Sequence, residues 1–557
     1  MNVFSYKLLA LILLFSSCSL REEAVVEFLP DYKGEWSTPP SNTPTNKVPD
    51  GAICGNGDIG MVLGGTPDKQ LFYFSKNDFW KAQNGYPNGG VCYVGQLQIS
   101  SSEMKGASYQ VEQKIADATI NGSFAEPDGS SYQLRAWCAA TQNIAVIELQ
   151  AGTTPVHFDL NFMMEESMDA EVENGRKDGI NWYVRKFEGT TLEWPTAVAV
   201  GMKVLDKENA SGLSLAAGEK ATIVLSFCTN HEQQAYIDQS VECIKSFDKK
   251  NLNSLSDAHK QWWTSFWNES QVKLGDPMLE KYYYGSHYLL ACCSRNTAFP
   301  PGLWGTSLTM DATANGWAGD YHLNYNHMAP WWGVYSSNHI GLAEPYDTPI
   351  LEYMEKGRAH AKEFLNKKGV YYPVGIGPKG FCSSMFPLTS EDMMKQYNTP
   401  ETYFTSAARL GYDGESLLDE LRKRITKTAL SNLWIEQSGG GIETLSAVPS
   451  CINEMLLQGY EGVIRLFPVW PKDKDASFRN LRAHGAFLVS SSCKNNVIEY
   501  VTLISEKGRT CKIENPWGDT ACIVVHADGT EEIYKSKQFE IETSPGEEIK
   551  LLQSNQQ

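Results

Sequence analysis

The chain has 557 residues, a length that suggests about three or four domains. Apolar residues make up 42% and charged residues 20%, enough to build ordinary globular cores. A net charge of −18 argues against nucleic acid, whose phosphates need Lys/Arg neutralisation, and disfavours strongly anionic substrates, while 15 Trp and 26 Tyr supply rings of the kind sugar faces stack on.

The N-terminus reads MNVFSYKLLALILLFSSCSL. Lys7 precedes an apolar run too short to span a bilayer, followed by small residues and Cys18. Residues 1–18 are therefore expected to be a lipoprotein-type signal with lipid attached at Cys18, resembling a bacterial lipobox (Phe15-Ser16-Ser17-Cys18). An ordinary cleaved signal with an incidental cysteine is the alternative. The chain is expected to be exported, periplasmic or at the cell surface, touching the membrane only through that anchor.

From 27 to 250 the sequence reads as β: AVIELQ, HFDLNFMM and ATIVLSFC alternate between apolar and polar residues, with turn residues between the runs and no helical period. This predicts a large N-terminal β-sandwich. Residues 251–275 carry Trp262, Trp263 and Phe266 at helical spacing and predict a linker helix. A helical domain follows over 276–468. Asp276 is placed to cap its first helix ahead of Pro277, and further helices are expected at 350–365, 401–409, 414–430 and 449–458. Alternation returns in GAFLVSSS, VIEYVTLISE and ACIVVHAD, so 469–553 predicts a C-terminal β-sandwich. The fold class is thus multidomain α+β, in the order sandwich, helices, sandwich.

Thirteen cysteines are scattered without a CxxC pair, which leaves a zinc site unsupported; no metal or cofactor is expected, and disulfide pairing cannot be read from spacing. GNGDIG at 55–60 has the spacing of a dinucleotide loop, but MVLGGTPD after it reads as strand and turn rather than helix, so that reading is rejected. The densest polar and aromatic stretch is GDYHLNYNHMAPWW, Gly319–Trp332. A segment built only for burial would use leucine and valine instead.

Four stretches resemble glycoside hydrolase family 95, the inverting α-L-fucosidases and their relatives: DGAICGNGDIGMVLGG with NDFW, KYYYGSHYLLACCSRNTAFPPGLWGT, WAGDYHLNYN and INEMLLQGYEGVIRLFPVWP. The resemblance implies an (α/α)6 toroid, a six-hairpin glycosidase, flanked by β domains. It also implies an inverting mechanism whose base is a carboxylate assisted by two asparagines at i and i+2, here Asn324 and Asn326. In extended backbone such a pair shares one face, so both amides can reach one water. The base position falls on Glu443 in GGGIETLSAVPS, where the family has an aspartate. Glutamate can do the same proton chemistry, and Gly439, Gly440 and Gly441 before it allow a tight loop.

The proton donor has no counterpart placed by a family motif. The span from Asp276 to Pro468 holds room for about half of twelve helices, so the toroid is expected to be incomplete. Glu391, Asp392 and Glu401 are the acids near the shortened stretch. Asp320 and His322 are candidates to bind sugar hydroxyls, and Trp317, Trp331 and Trp332 to supply a stacking face, although core packing is the competing use of each ring. His327 reads as structural. The expected activity is inverting hydrolysis of α-L-fucosyl or related terminal sugars on an oligosaccharide or glycan. The alternative is a catalytically inactive, toroid-deleted homologue that binds glycans or serves in a surface assembly. A phosphorylase is disfavoured, because GGGIETLSAVPS offers no Lys or Arg for phosphate.

Overall fold

The computed structural model describes residues 31–83, 88–207, 212–311, 317–383, 400–436 and 440–554. Cys18, Gly439, Glu391 and Asp392 lie outside them, as does the side chain of Glu401. The architecture is multidomain α+β.

The first region stacks a nine-stranded antiparallel sheet, from Lys33–Trp36 at one edge to Glu171–Lys177 at the other, on a six-stranded sheet running from Gly212–Leu215 to Ala52–Gly55. Strands such as Val156–Met163 bury every second residue, the pattern of one face packed and one wet. The apolar faces meet in a core that includes Phe72, Phe74, Ile147 and Leu149. One helix departs from the all-β expectation. Helix α1 (Tyr236–Lys245) buries only Ser240, Val241 and Ile244, a stripe too short to show as a period, and rests on the sheet where the Ser226 hydroxyl reaches the Ser240 carbonyl.

Helix α2 (Lys249–Asn268) opens with a capping box in which Asp248 and Asn251 satisfy each other's backbone groups. It stops earlier than the predicted linker. Gln271–Lys273 is a strand paired with Ser477–Arg479, so the linker supplies an edge strand to the seven-stranded C-terminal sheet. Helix α3 (Pro277–Cys293) starts as its sequence predicts, with the Asp276 carboxylate accepting from the Met278 and Leu279 amides.

Then come two short helices, α4 (Tyr325–Met328) and α5 (Trp332–Ser336), and the longer α6 (Thr348–Leu365), α7 (Pro400–Arg409), α8 (Gly414–Thr428) and α9 (Ala447–Leu456). Helix α9 is buried almost all round, as expected of a helix wrapped by others, and packs on α3, α5 and α7. No described helix is long and apolar enough to cross a membrane.

The glycine-rich motif near residue 55 is a clasp between regions. Asn56 folds the turn by accepting from the Asp58 and Ile59 amides. Gly57 has φ +87, donates to the Cys292 carbonyl at the end of α3 and accepts from the Arg295 and Asn296 amides. A Cβ on Gly60 would lie 1.8 Å from the Thr306 carbonyl oxygen, so the close approach requires glycine. Asn77, opening the NDFW stretch, donates to the Gly57 and Cys293 carbonyls. Beside the clasp the buried Lys76 ammonium meets Asp58 at 2.8 Å, Asp78 at 3.0 Å and Glu232 at 3.2 Å. The twelve cysteines among the described residues are free thiols.

Candidate active site

Three chain segments converge through one residue. The Leu303 amide donates to the Gly319 and Asp320 carbonyls, and the Leu303 carbonyl accepts from the Ile442 amide at 2.9 Å. Glycines make this backbone-to-backbone packing possible. A Cβ on Gly302 would lie 2.1 Å from the Gly319 oxygen, and one on Gly441 would lie 1.9 Å from the Leu303 oxygen and 3.0 Å from Glu443 Oε2. In this way Leu303 holds the loop bearing Asp320 to Asn326 beside the loop bearing Glu443.

Glu443 lies in a 3-10 turn (Ile442–Ser446) that runs into α9, and it is 3% exposed. Asn326 Nδ2 donates to Glu443 Oε1 at 2.6 Å across 117 residues of sequence. The contact fixes the carboxylate's orientation. Asn326 is half-buried, so the pair sits at the edge of the packed interior.

Asn324 departs from the geometry expected of the asparagine pair. It is the N-cap of α4, its side-chain oxygen accepting from the Asn326 amide at 3.1 Å. The segment turns into a helix at this point, so the two asparagines do not share a strand face. The capping bond occupies the Asn324 oxygen, while its amide nitrogen stands apart from that bond.

Asp320 is buried, with Oδ1 against His322 Nδ1 at 3.0 Å and Oδ2 accepting from the Ser383 hydroxyl at 2.6 Å. His322 holds φ +41, a left-handed conformation that costs a non-glycine residue on the order of 1 kcal/mol. The backbone beneath is pinned, since the Tyr321 and Leu323 amides donate to the Ile376 and Val374 carbonyls. Trp317 is 53% exposed at φ +50, its ring 5.9 Å from His322.

Trp331 is corrected from stacking face to core. It is 2% exposed and its indole N–H donates to the Leu342 carbonyl. His327 lies flat on Tyr346 with centroids 4.9 Å apart, and burial lowers its pKa to about 4, leaving a neutral packing residue. Leu303, Gly302 and Ser383 carry the site without having been singled out from sequence. Their roles are backbone contacts and one hydroxyl, for which residue type gives no signal.

Together the residues place a buried carboxylate beside an amide donor, with a second polar cluster on the adjoining loop. The family model of the glycosyl hydrolase family 95 catalytic domain matches residues 244–385. That stretch includes the asparagine segment and ends before Glu443. "Probable alpha-fucosidase A" of Aspergillus niger is 22% identical over 417 residues, 59% of this chain and 52% of its own length. The chain thus spans about half the length of the curated relative it matches. Among solved structures, a human-microbiome protein provisionally assigned as a kojibiose phosphorylase is similar over 92% of this chain and 98% of its own, with a TM-score of 0.57 at 9% identity. At that identity the likeness concerns the fold.

Proposed function

We propose that this chain is a glycoside hydrolase that removes α-L-fucosyl or related terminal sugars from glycans with inversion. Glu443 is the base, Asn326 orients it, and the attacking water sits between the carboxylate and the Asn324 and Asn326 amides. The observation that carries this reading is the 2.6 Å contact between Asn326 and Glu443. The family 95 match over residues 244–385 supports the reaction class, and the name of the Aspergillus relative supports fucose. His322 and Trp317 stand at the exposed side of the cluster as the groups that meet the sugar, with Asp320 holding His322 in place. The helical region is read as an incomplete toroid, and Cys18 as the lipid anchor of an exported protein.

The test is release of free sugar from a panel of fucosyl and galactosyl oligosaccharides, with the anomer of the first product followed by NMR. Inverted product, with kcat reduced about 10²- to 10⁴-fold in Glu443→Gln, is expected. Retained configuration would sink the inverting mechanism, and turnover that depends on added inorganic phosphate would sink the hydrolase assignment. Labelling with a fatty acid that survives Cys18→Ala would sink the anchor.

A second reading, a glycan-binding protein without turnover, is favoured by one observation. Both oxygens of Asp320, the carboxylate on the loop adjoining Glu443, are already engaged by His322 and Ser383. Glycan binding with no product from any substrate in the panel would select it.

A further inference from the structure

A cavity of about 360 Å³ lies between α5, α7 and α9 and plays no part in the site just described. Trp332 and Tyr335 wall one side of it, Thr405 and Arg409 another, and Ser450 and Glu454 line its floor. Ser450 and Glu454 are four residues apart on α9 and so share a face. At helical rise they lie roughly 12 and 18 Å along the axis from Glu443. That separation makes this a second place rather than an extension of the Asn326–Glu443 pair.

Three polar atoms here are buried and have no hydrogen-bond partner: Thr405 Oγ1, Ser450 Oγ and Glu454 Oε2. Ser450 is only 4% exposed. A buried hydroxyl on a helix ordinarily bonds back to the preceding turn, as Thr428 does to the Arg424 carbonyl. Ser450 and Thr405 do not, and leaving such groups unmet is costly unless something else meets them. The other Glu454 oxygen accepts from Arg409 at 2.6 Å, so the floor carries a neutralised pair with one carboxylate oxygen left to accept. Tyr335 is half-exposed, and Trp332 stands edge-on to Tyr325, which leaves ring surface at the mouth.

These features select one ligand chemistry. The Arg409–Glu454 pair cancels the net charge that would hold a phosphate or an ammonium. Two hydroxyls and a carboxylate oxygen want partners that both donate and accept. Aromatic walls want an apolar face to stack on. We propose that this cavity is a second carbohydrate site, binding a neutral pyranose by its C–H face on Trp332 and Tyr335 and by its hydroxyls on Thr405, Ser450 and Glu454. It requires no catalysis at Glu443 and stands whichever reading of that site holds.

Titration calorimetry and saturation-transfer NMR on the full chain test it. The probes are methyl α-L-fucoside, methyl β-D-galactoside and methyl β-D-glucoside, with choline and inorganic phosphate as charged controls. At least one glycoside is expected to bind wild type and Glu443→Gln alike, and to bind about tenfold more weakly to Tyr335→Ala and to Ser450→Val. Tyr335 is exposed, so its alanine variant keeps the result decisive even where Ser450→Val unfolds. No glycoside binding would overturn the proposal. So would binding that Glu443→Gln abolishes and Tyr335→Ala leaves intact, or tighter binding of choline or phosphate than of any glycoside.

Discussion

Asn324 and Asn326 look equivalent in the sequence but have different duties, and mutation separates them. Asn326 reaches Glu443 directly, so Asn326→Ala is expected to lower kcat/KM about a hundredfold through misplacement of the carboxylate, with little change in melting temperature. Asn324 caps α4 through its oxygen. Asn324→Asp keeps a capping oxygen but removes the amide donor, so stability should hold while turnover falls. Equal turnover in Asn324→Asp and wild type would restrict Asn324 to the cap. The resemblance to family 95 points to this pair and to Glu443. It could not separate cap from ligand, because the same amide serves both and only the local backbone decides which.

At the level of loops and helices, the site depends on three chain segments touching backbone to backbone at Leu303. Gly441→Ala places a methyl 1.9 Å from the Leu303 carbonyl oxygen, so one of the two loops must move. We expect a loss of about 1–3 kcal/mol in urea unfolding and a larger proportional loss of activity, since Glu443 follows two residues later. The helices themselves were readable: Asp276-Pro277 announces α3, and apolar spacing places α6, α8 and α9. Helix α1 was missed because its buried stripe is three residues long. The strand at Gln271–Lys273 was missed because its partner lies some two hundred residues onward, at Ser477–Arg479.

Across the whole molecule, buried titratable groups set how stability depends on pH. The Lys76 ammonium is shared by three acidic groups where the sandwich meets α3, and Lys76→Met is expected to cost about 3–5 kcal/mol by removing that shared partner. Burial, opposed by Lys76, leaves Asp78 with a pKa of about 6. The folded state thus takes up a proton between about pH 4 and 6 more readily than the unfolded chain, and this group favours folding as pH falls. His231, His259 and His327 act oppositely. Burial holds each near 4, below its unfolded value, so the unfolded chain binds more protons between about pH 4 and 6.5. His287 and His360 are lowered as well, against a raised Glu352, so the histidines outweigh the carboxyls. Stability should therefore fall as pH drops through that window. Chemical denaturation at pH 7 and pH 5 checks this; equal stability at both would contradict it.

Local chemistry determined a good deal of this protein. Alternation makes strands, apolar spacing makes helices, and an Asp-Pro pair sets the start of a helix. Those are properties of a few consecutive residues, and short-range sterics and burial fix them. Tertiary structure alone decided that Asn326 rather than Asn324 meets Glu443, that Trp331 belongs to the core, that GNGDIG ties the sandwich to α3, and that Thr405, Ser450 and Glu454 converge on one cavity. Each of those outcomes depends on atoms brought together from far apart in the chain, where the energy of contact lies in the packing and leaves no trace in residue order.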